Sequence, residues 1–145
     1  MTDALRAVFA PQIGAMLTGL RTAELLFDGA WSDWPDLPAR LAFGSAVVSL
    51  AWSRFDRLHV GEGETLPFDI GESVVRWKAR PDLPGLIGER LNAVSIAQGD
   101  LNGVPIWTRV LLRFGPTTLE VYNALDETGL RTIQGGPKGH ILPVL

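Results

Sequence analysis

The stretch that decides the fold is Ile106–Asp126, IWTRVLLRFGPTTLEVYNALD. Two runs rich in β-branched and aromatic residues flank the pair Gly115–Pro116, a pattern typical of a β-hairpin. A glycine at the first position of a two-residue loop, followed by a residue with ordinary φ, meets the requirement of a type II′ turn. The stretch therefore predicts a hairpin in which Leu112 lies opposite Leu119.

A second stretch, Leu37–Asp56, LPARLAFGSAVVSLAWSRFD, aligns with the first at a constant offset of 71 residues. The offset places Phe43 on Phe114 and the turn Gly44–Ser45 on Gly115–Pro116, and it keeps apolar positions on apolar positions. This agreement is informative because a slip of one residue turns every side chain of a strand to the opposite face. The alignment predicts an internal repeat, and the alternative is that two unrelated amphipathic hairpins align by chance.

The whole chain is predicted to form an α+β, antiparallel β-rich domain built from two pseudo-twofold αβββ repeats. The single domain covers residues 1–145, with repeats at about 12–78 and 82–145, arranged as one continuous sheet or as a barrel-like sandwich. Helical spacing, alternation and turn residues predict the remaining elements. They are a helix from Thr2, a helical piece at Gln12–Leu17, strands at Thr22–Phe27, Arg57–Val60, Ser73–Lys78 and Ala93–Gln98, a helical turn at Leu86–Leu91, loops at Asp28–Pro38, Gly61–Gly71 and Gly99–Pro105, a flexible stretch at Arg131–His140, and an edge strand or a frayed end at Ile141–Leu145.

The composition is that of a globular protein, with 46% hydrophobic and 20% charged residues. The formal net charge is −3 and Lys and Arg do not cluster, which disfavours a nucleic-acid partner. No uncharged apolar run approaches the roughly 20 residues that cross a bilayer, so no membrane partner is expected. Asp3, Pro11 and Gln12 interrupt a signal-peptide pattern, and cysteine is absent, which excludes disulfides. These features predict a cytoplasmic protein.

The outward faces of the two predicted hairpins differ in character. The first shows small, mildly apolar residues that suit a covering helix or a second subunit, so a homodimer is one expectation. The second shows polar and charged residues, and its Glu120 is expected to form a surface ion pair with Arg113. The two sets are Ala42, Val47, Ser49 and Ala51 in the first hairpin, and Arg109, Leu111, Arg113, Thr118, Glu120 and Tyr122 in the second.

No motif in the sequence specifies a reaction. Phosphate-binding, dinucleotide-binding, zinc-protease and Gly-x-Ser-x-Gly patterns are missing. His59 and His140 have no second ligand at helical or hairpin spacing, so His59 is interpreted as a surface residue at a strand end and His140 as a residue of the tail. The acidic residues of the loops lack the spacing of a calcium site and are interpreted as solvated turn residues. The sequence therefore predicts no catalytic residue, no cofactor and no metal ligand. The acidic residues concerned are Asp28, Asp33 and Asp36 in one loop, and Glu62, Glu64, Asp69 and Glu72 in the other.

The tryptophans are the candidates for recognition. Trp31 and Trp34 lie in a predicted loop beside Asp33 and Asp36, and a loop tryptophan flanked by carboxylates is unusual unless something covers its ring. These four residues are therefore candidates for contact with a partner, while packing within the chain is the alternative. The other three, Trp52, Trp77 and Trp107, are predicted to be core residues.

Asn123 stands on the inward face of its predicted strand, where the first hairpin has Trp52. A buried Asn has to be hydrogen-bonded, so it is either a structural plug at the sheet end or, with Asp126 and Glu127, the rim of a ligand site. The surrounding segment Leu119–Leu130, LEVYNALDETGL, resembles a pattern found in small uncharacterised bacterial proteins, and this resemblance implies no activity.

Two classes of function remain. The first is a non-enzymatic bacterial interaction protein, such as a toxin-neutralising immunity-type protein, which the acidic charge and the Trp–Asp loop favour. The second is a small-molecule-binding or enzymatic domain with a pocket between the two repeats, lined by Trp52, Trp107, Asn123 and Arg109. An enclosed pocket with convergent polar groups favours the second class, and a filled core with an exposed Trp31 or Trp34 favours the first.

Overall fold

The computed structural model describes residues 1–54, 56–63, 71–101, 104–135 and 139–145, excluding the side chains of residues 100, 101, 104 and 105. One helix, α1, covers Thr2–Phe9, and a 3₁₀ turn covers Ala10–Gln12. The strands before the chain midpoint are β1 (Gly19–Phe27), β2 (Ala30–Asp33), β3 (Ala39–Phe43), β4 (Ala46–Ser53) and β5 (Arg57–Glu62). The remaining strands are β6 (Val75–Ala79), β7 (Leu91–Leu101), β8 (Val104–Phe114), β9 (Thr117–Asn123), β10 (Thr128–Gln134) and β11 (Ile141–Pro143).

These strands form two antiparallel sheets. The first has the order β2-β1-β3-β4-β5, with β6 also paired to β1, and the second has the order β10-β9-β8-β7-β11. Antiparallel, β-rich architecture is therefore confirmed, with one short α-helix in the described residues. Each sheet belongs to one half of the chain, because β1 to β6 precede residue 80 and β7 to β11 follow residue 90.

The two hairpins predicted around Gly44–Ser45 and Gly115–Pro116 are confirmed. Leu41 pairs with Val48 across β3 and β4, and Leu112 pairs with Leu119 across β8 and β9. The turn glycines have φ angles of 66° at Gly44 and 57° at Gly115, the positive values that a type II′ turn requires at its first position. The observed registers therefore agree with those that the two-residue glycine turns predict.

The two sheets pack face to face over one main hydrophobic core. Leu41, Leu50 and Trp52 from the first sheet share this core with apolar residues of the second sheet. The rings of Phe43 and Phe114 stack across it with centroids 6.4 Å apart. Trp52 is fully buried, as the sequence predicts, and the N–H of its indole donates to the carbonyl of Val121 at 3.0 Å. This bond satisfies the one polar group that a buried Trp brings into the core.

The N-terminal segment closes one end of the core. The amphipathic helix α1 buries Leu5 and Phe9, whose spacing places them on the same face. After the 3₁₀ turn, residues 14–17 run antiparallel to residues 88–91, with an isolated bridge between Met16 and Arg90. Among the described residues, no helix is long and apolar enough to cross a membrane.

The predicted loop Asp28–Pro38 is wrong in its first part, where the structure has a tight hairpin. Phe27 pairs with Ala30, and Asp28 and Gly29 both have positive φ, of 51° and 77°. Two central residues with positive φ define a type I′ turn, and Asp-Gly is a preferred pair for it. The strand β2 that follows the turn carries Trp31 and Asp33 beside β1.

Three other local predictions differ from the structure. The helical pieces at Gln12–Leu17 and Leu86–Leu91 are not helices, because their backbone groups bond to each other in the antiparallel pairing described above. The predicted loop Gly99–Pro105 instead continues β7 to Leu101 and starts β8 at Val104, since each strand supplies the other's hydrogen bonds. The stretch Arg131–His140 was expected to be flexible, but its residues Arg131–Gln134 belong to β10. Ile141–Pro143 form the expected edge strand. Glu64 and Asp69 of the predicted acidic loop lie outside the described residues.

The outer faces of the hairpins are more buried than predicted. In the first hairpin, Ser49 is 2% exposed and Ala51 is fully buried within the single chain, so these two residues offer no surface to a second subunit. In the second hairpin, Glu120 is fully buried, and the predicted surface ion pair with Arg113 is wrong. Glu120 bonds instead to Arg109 and to Arg131, which comes from the neighbouring strand β10.

Candidate functional site

A surface groove of about 290 Å³ lies where the two halves of the chain meet. We call it the Trp34 groove. One wall comes from β1 and from the turn between β2 and β3, and the other comes from the end of β9 and the start of β10. The residues that line it are Thr22, Ala23, Asp33, Trp34, Pro35, Leu37, Ala39 and Arg80 on the first side, and Tyr122, Ala124, Glu127, Thr128, Gly129 and Leu130 on the second.

The first wall is built on a β-turn that starts at Trp34. The N–H of Leu37 donates to the carbonyl of Trp34 at 3.1 Å, which places Pro35 at the second turn position, where its fixed φ is favoured. The N–H of Trp34 donates to Ala23 of β1, and the carbonyl of Pro35 accepts from Thr128 of β10, both at 2.9 Å. Three backbone bonds therefore hold Trp34 in place while its side chain remains 39% exposed.

The second wall is held by the turn between β9 and β10. The N–H of Ala124 donates to Glu127 at 2.8 Å, and the two residues between them, Leu125 and Asp126, both have positive φ. Such backbone is strained for residues other than Gly, and it persists only when the surroundings hold it in place. The facing turn between β4 and β5 helps to hold it, because a carboxylate oxygen of Asp126 accepts from the N–H of Arg54.

Asn123 joins the same two turns. Its amide nitrogen donates to the carbonyl of Arg54 at 2.8 Å, and its amide oxygen accepts from the N–H of Asp126 at 3.1 Å. Both polar ends of the side chain are therefore used inside the chain. Asn123 and Asp126 shape the turn that forms one wall, while Glu127 is the acidic residue of that turn that lines the groove.

Carboxylates dominate the charge around the groove. Asp33 and Glu127 line opposite sides, and the lining arginine, Arg80, forms two hydrogen bonds to Asp82 at 2.9 and 2.7 Å. The hydrogen bond to Asp82 raises the pKa of Arg80, and the same bond lowers the pKa of the Asp82 carboxyl. The charge of Arg80 is thus already offset, and Asp36 adds an exposed carboxylate to the Trp34 turn.

Behind Tyr122, the second wall contains a buried ionic cluster. The Glu120 carboxylate accepts from Arg109 at 3.2 Å and from both Nε and Nη2 of Arg131, and the Arg131 guanidinium lies 4.7 Å from the centre of the Tyr122 ring. The hydrogen bond to Glu120 raises the pKa of Arg131. Arg109 also donates to the carbonyl of Gln98 at 2.8 Å. Arg109, a predicted site residue, therefore supports the wall and does not line the groove.

Trp31 lies along the same face of the sheet, further from the core. Its ring is covered by the guanidinium of Arg76 at 4.2 Å, and Arg76 also pairs with Glu24 at 2.9 Å. Trp31 is paired with Leu26 in the register of β1 and β2, and Leu26 is bonded to Val74 on its other side. This row adds exposed apolar surface beside the groove, because Leu26 and Val74 are both exposed.

Two further cavities lie on the first sheet. The first, of about 330 Å³, is bordered by Arg21, Arg40 and Trp77, with the Arg40 guanidinium stacked 3.4 Å from the centre of the Trp77 ring. Trp77 also packs on a small second core of Ala23, Leu25 and Leu37, so this contact belongs to the packing of the sheet.

The second cavity, of about 370 Å³, is bordered by His59. His59 Nε2 lies 2.9 Å from the hydroxyl oxygen of Ser53, and burial, followed by the charge of Arg57, lowers the pKa of His59. A nucleophile must be reached by its substrate, and Ser53 is buried at 7% exposure. The pair is therefore interpreted as a hydrogen bond between two strands of the sheet.

The four residues predicted to line a pocket between the repeats do not form one together. Trp52 is buried in the main core, and Trp107 packs against that core with its ring 5.8 Å from the ring of His140. Arg109 lies in the Glu120 cluster, and Asn123 bridges two turns. The predicted residues that the structure does bring together are Asp33, Trp34 and Asp36.

Sequence reasoning missed several residues of the groove. Tyr122 was placed on a solvated face, and Thr22 and Arg80 had no predicted role. The Arg80 position depends on the pairing of β6 with β1, which joins segments more than 50 residues apart, and no local pattern in the sequence reveals it. Glu127 is the one lining residue of the second wall that the sequence indicates, because it stands beside Asn123 and Asp126 at the end of a predicted strand.

Comparison with known protein families, with curated proteins and with solved structures found no match for this chain. The described residues contain no group of three or more side chains arranged to hold a metal ion. The lining of the groove includes an exposed indole, a phenol ring, two carboxylates and the guanidinium of Arg80, which is paired with Asp82. Such a set of groups can bind a ligand by stacking, ion pairing and hydrogen bonding.

Proposed function

We propose that this protein acts by binding a protein partner through the Trp34 groove and the apolar row beside it. The observation that carries the proposal is the exposure of Trp34 on a turn that is fixed by three backbone hydrogen bonds. Tryptophan on a rigid backbone supplies a large contact area at little cost in conformational entropy, which is why it is enriched at the energetic centres of interfaces.

The surface around Trp34 supports the same function. Leu26 and Val74 are exposed on the face of the sheet that carries Trp31, and Leu26 is paired with Trp31 across β1 and β2. Contiguous exposed apolar residues next to polar groups are typical of protein interaction sites. Asp33 separates this apolar row from the groove and would add a charged contact at the rim.

A small-molecule or enzymatic function has less support. The groove is open to solvent, and its volume of about 290 Å³ is at the lower limit of the roughly 300–1,000 Å³ that small-molecule sites occupy. The aromatic residues expected to line an enclosed pocket, Trp52 and Trp107, pack on the core instead. The immunity-type function is one form of the proposed partner binding, with a toxin as the partner.

Self-association is a second form of partner binding. Of the small residues on the outward face of the first hairpin, Ser49 and Ala51 are covered within the chain, whereas Ala42 and Val47 are partly exposed. The row of Leu26 and Val74 is another surface with exposed apolar area that a dimer could use. Light scattering after size-exclusion chromatography, over a range of concentrations, distinguishes a second copy from a different partner.

We also infer that the two halves are an internal repeat. In support, β1-β3-β4-β5 and β7-β8-β9-β10 follow the same order in their sheets, and the equivalent residues Phe43 and Phe114 contact each other. The segments that precede β1 and β7 also pair with each other around Met16 and Arg90. The predicted helix of the second half is missing, so the proposed repeat consists of strands only.

Capture of proteins from the native host with immobilised wild type, Trp34→Ala and Phe27→Ala tests the proposed function. Phe27 is the matched control, because it is an exposed aromatic residue that does not line the groove. We expect at least one protein to bind the wild type and Phe27→Ala and to be lost with Trp34→Ala.

Stability measurements separate loss of binding from loss of folding. Because Trp34 is partly exposed, its truncation should cost about 1 kcal/mol, well below the 3–5 kcal/mol typical of a buried Trp. A loss above about 3 kcal/mol would identify Trp34 as a core residue. Retention of every captured protein by a folded Trp34→Ala variant would contradict the proposed function.

A further inference from the structure

The described part of this chain covers three of its aromatic rings with its own arginines. The guanidinium-to-ring distances are 3.4 Å for Arg40 on Trp77, 4.2 Å for Arg76 on Trp31 and 4.7 Å for Arg131 on Tyr122. Trp34 has no such arginine contact among the described residues, and its ring remains partly exposed in the groove. The face of an indole attracts cations more strongly than any other aromatic side chain does.

The charges around Trp34 favour the same kind of ligand. Three charged residues line the groove, namely Asp33, Glu127 and Arg80. Their formal charges sum to −1. Asp82, outside the lining, pairs with Arg80 at 2.7 Å, and the Glu120–Arg109–Arg131 cluster in the second wall carries +1, so the lining, Asp82 and this cluster together also carry −1. A cation entering between Asp33 and Glu127 would meet carboxylates on both sides of the groove and an aromatic face on one wall.

The size of the groove limits what can enter it. A volume of about 290 Å³ is at the lower limit of sites for small organic ligands, and it suits a single long side chain. The rest of a protein partner would then cover the apolar row of Leu26 and Val74, which lies on the same face of the sheet. The net charge of −3 on the whole chain would also attract a basic partner.

We propose that the Trp34 groove receives an arginine or lysine side chain from a basic segment of the partner protein. The cation stacks on the Trp34 ring and pairs with the carboxylates of Asp33 and Glu127. This inference rests on the function proposed above, and it specifies the chemistry of the partner that the groove selects.

Blocked five-residue peptides of sequence GSRSG, GSKSG and GSQSG test this proposal in nuclear magnetic resonance titrations of the folded, ¹⁵N-labelled protein. The five tryptophans give separate indole N–H signals, and Trp34→Phe assigns the one from Trp34. We expect the arginine and lysine peptides to shift the Trp34 signal and to leave the Trp31 signal unmoved, because Arg76 already covers that ring. The arginine peptide should bind at least about fivefold more tightly than the glutamine peptide.

A double variant, Asp33→Asn with Glu127→Gln, tests the role of the carboxylates. The matched control is Asp28→Asn with Glu72→Gln, which changes the net charge equally at exposed positions that do not line the groove. The groove variant should lose the preference for the cationic peptides and the control should keep it. Equal shifts with all three peptides, equal behaviour of the two double variants, or no shift of the Trp34 signal would each overturn the proposal.

The same variants separate this inference from the proposed function. If a host protein depends on Trp34 but binds the Asp33→Asn, Glu127→Gln variant as tightly as the wild type, the function stands and the cationic chemistry is wrong. If the Trp34 signal responds to the cationic peptides but no host protein depends on Trp34, the cation site stands and the proposed function is wrong.

Discussion

The two hairpins β3–β4 and β8–β9 are alike where they face the core and unlike where they face outward. Both turn at a glycine with positive φ, and both pair apolar residues at equivalent positions. Ser49 of the first hairpin and Glu120 of the second occupy equivalent outward positions, and both are buried. The hydroxyl of Ser49 donates to the carbonyl of Gly63 at 2.7 Å, whereas Glu120 is held by two arginines. The residues on the inward faces are thus alike because both pack in the core. The residues on the outward faces differ because different neighbouring segments cover them.

The hairpin ends differ in a way that creates the groove. The first ends in Trp52, which fills the core, and the second ends in Asn123, which bonds to the backbone of two turns. A polar residue at this point ties the β9–β10 turn to Arg54 and holds Glu127 on the groove wall opposite Asp33. The end of the first hairpin is therefore packed in the core, while the end of the second forms part of the wall of the Trp34 groove.

Among the variants that compare the two hairpins, Trp52→Ala is expected to cause the largest loss of stability. Removal of a fully buried indole leaves a cavity and should lower the free energy of unfolding by about 3–5 kcal/mol. Asn123→Ala removes two hydrogen bonds from a partly exposed residue and should cost about 1–2 kcal/mol. Urea denaturation monitored by fluorescence measures both. Equal losses would show that the two positions contribute alike and that the contrast between packing and bridging is wrong.

The next largest difference is expected between the outward positions. Glu120→Gln leaves Arg109 and Arg131 without their carboxylate, and breaking a buried ion pair costs about 3–5 kcal/mol. We expect a value near the lower end, because Arg131 is 56% exposed and water can solvate it. Ser49→Ala removes one hydroxyl hydrogen bond and should cost about 1 kcal/mol.

The control for Glu120→Gln is a variant that removes the charge of one of its two arginine partners. Arg109→Met keeps much of the side-chain volume but leaves Glu120 with Arg131 only, and it should cost less than Glu120→Gln because one charged partner remains. If Glu120→Gln is as mild as Ser49→Ala, the ionic cluster contributes no more to stability than a single hydroxyl. The midpoints of urea denaturation of the three variants distinguish these two outcomes.

The sequence predicts those parts of the fold that depend on local chemistry. The glycine turns at Gly44 and Gly115 fix the registers of both hairpins, and alternation places Trp52 in the core. The Asp28–Gly29 hairpin could have been predicted in the same way, because Asp-Gly between two strand-forming runs is a signal of a type I′ turn. The polar residues of the segment are typical of a loop, and they obscure this turn signal.

The remaining features depend on contacts between distant segments. Glu120 has the alternation of an exposed residue, and its burial follows from Arg131 on the neighbouring strand and Arg109 on the other side. The cover on Trp31 likewise depends on where Arg76 of β6 lies relative to β1 and β2, and Trp34 remains exposed. Two tryptophans in one short segment therefore have different surroundings that no periodicity distinguishes.

The smallest expected difference concerns the two turns themselves. Gly44→Ala and Gly115→Ala each force a side chain into the left-handed region, which should cost about 1–2 kcal/mol. A Cβ at Gly44 meets nothing within 4 Å, whereas a Cβ at Gly115 would lie 2.9 Å from Oε2 of Glu89. The Glu89 carboxylate is at the end of a flexible side chain and can move, so the two losses should agree within about 0.5 kcal/mol. A much larger loss at Gly115 that Glu89→Ala relieves would show that the turns, alike in backbone, differ in their surroundings as the outward faces do.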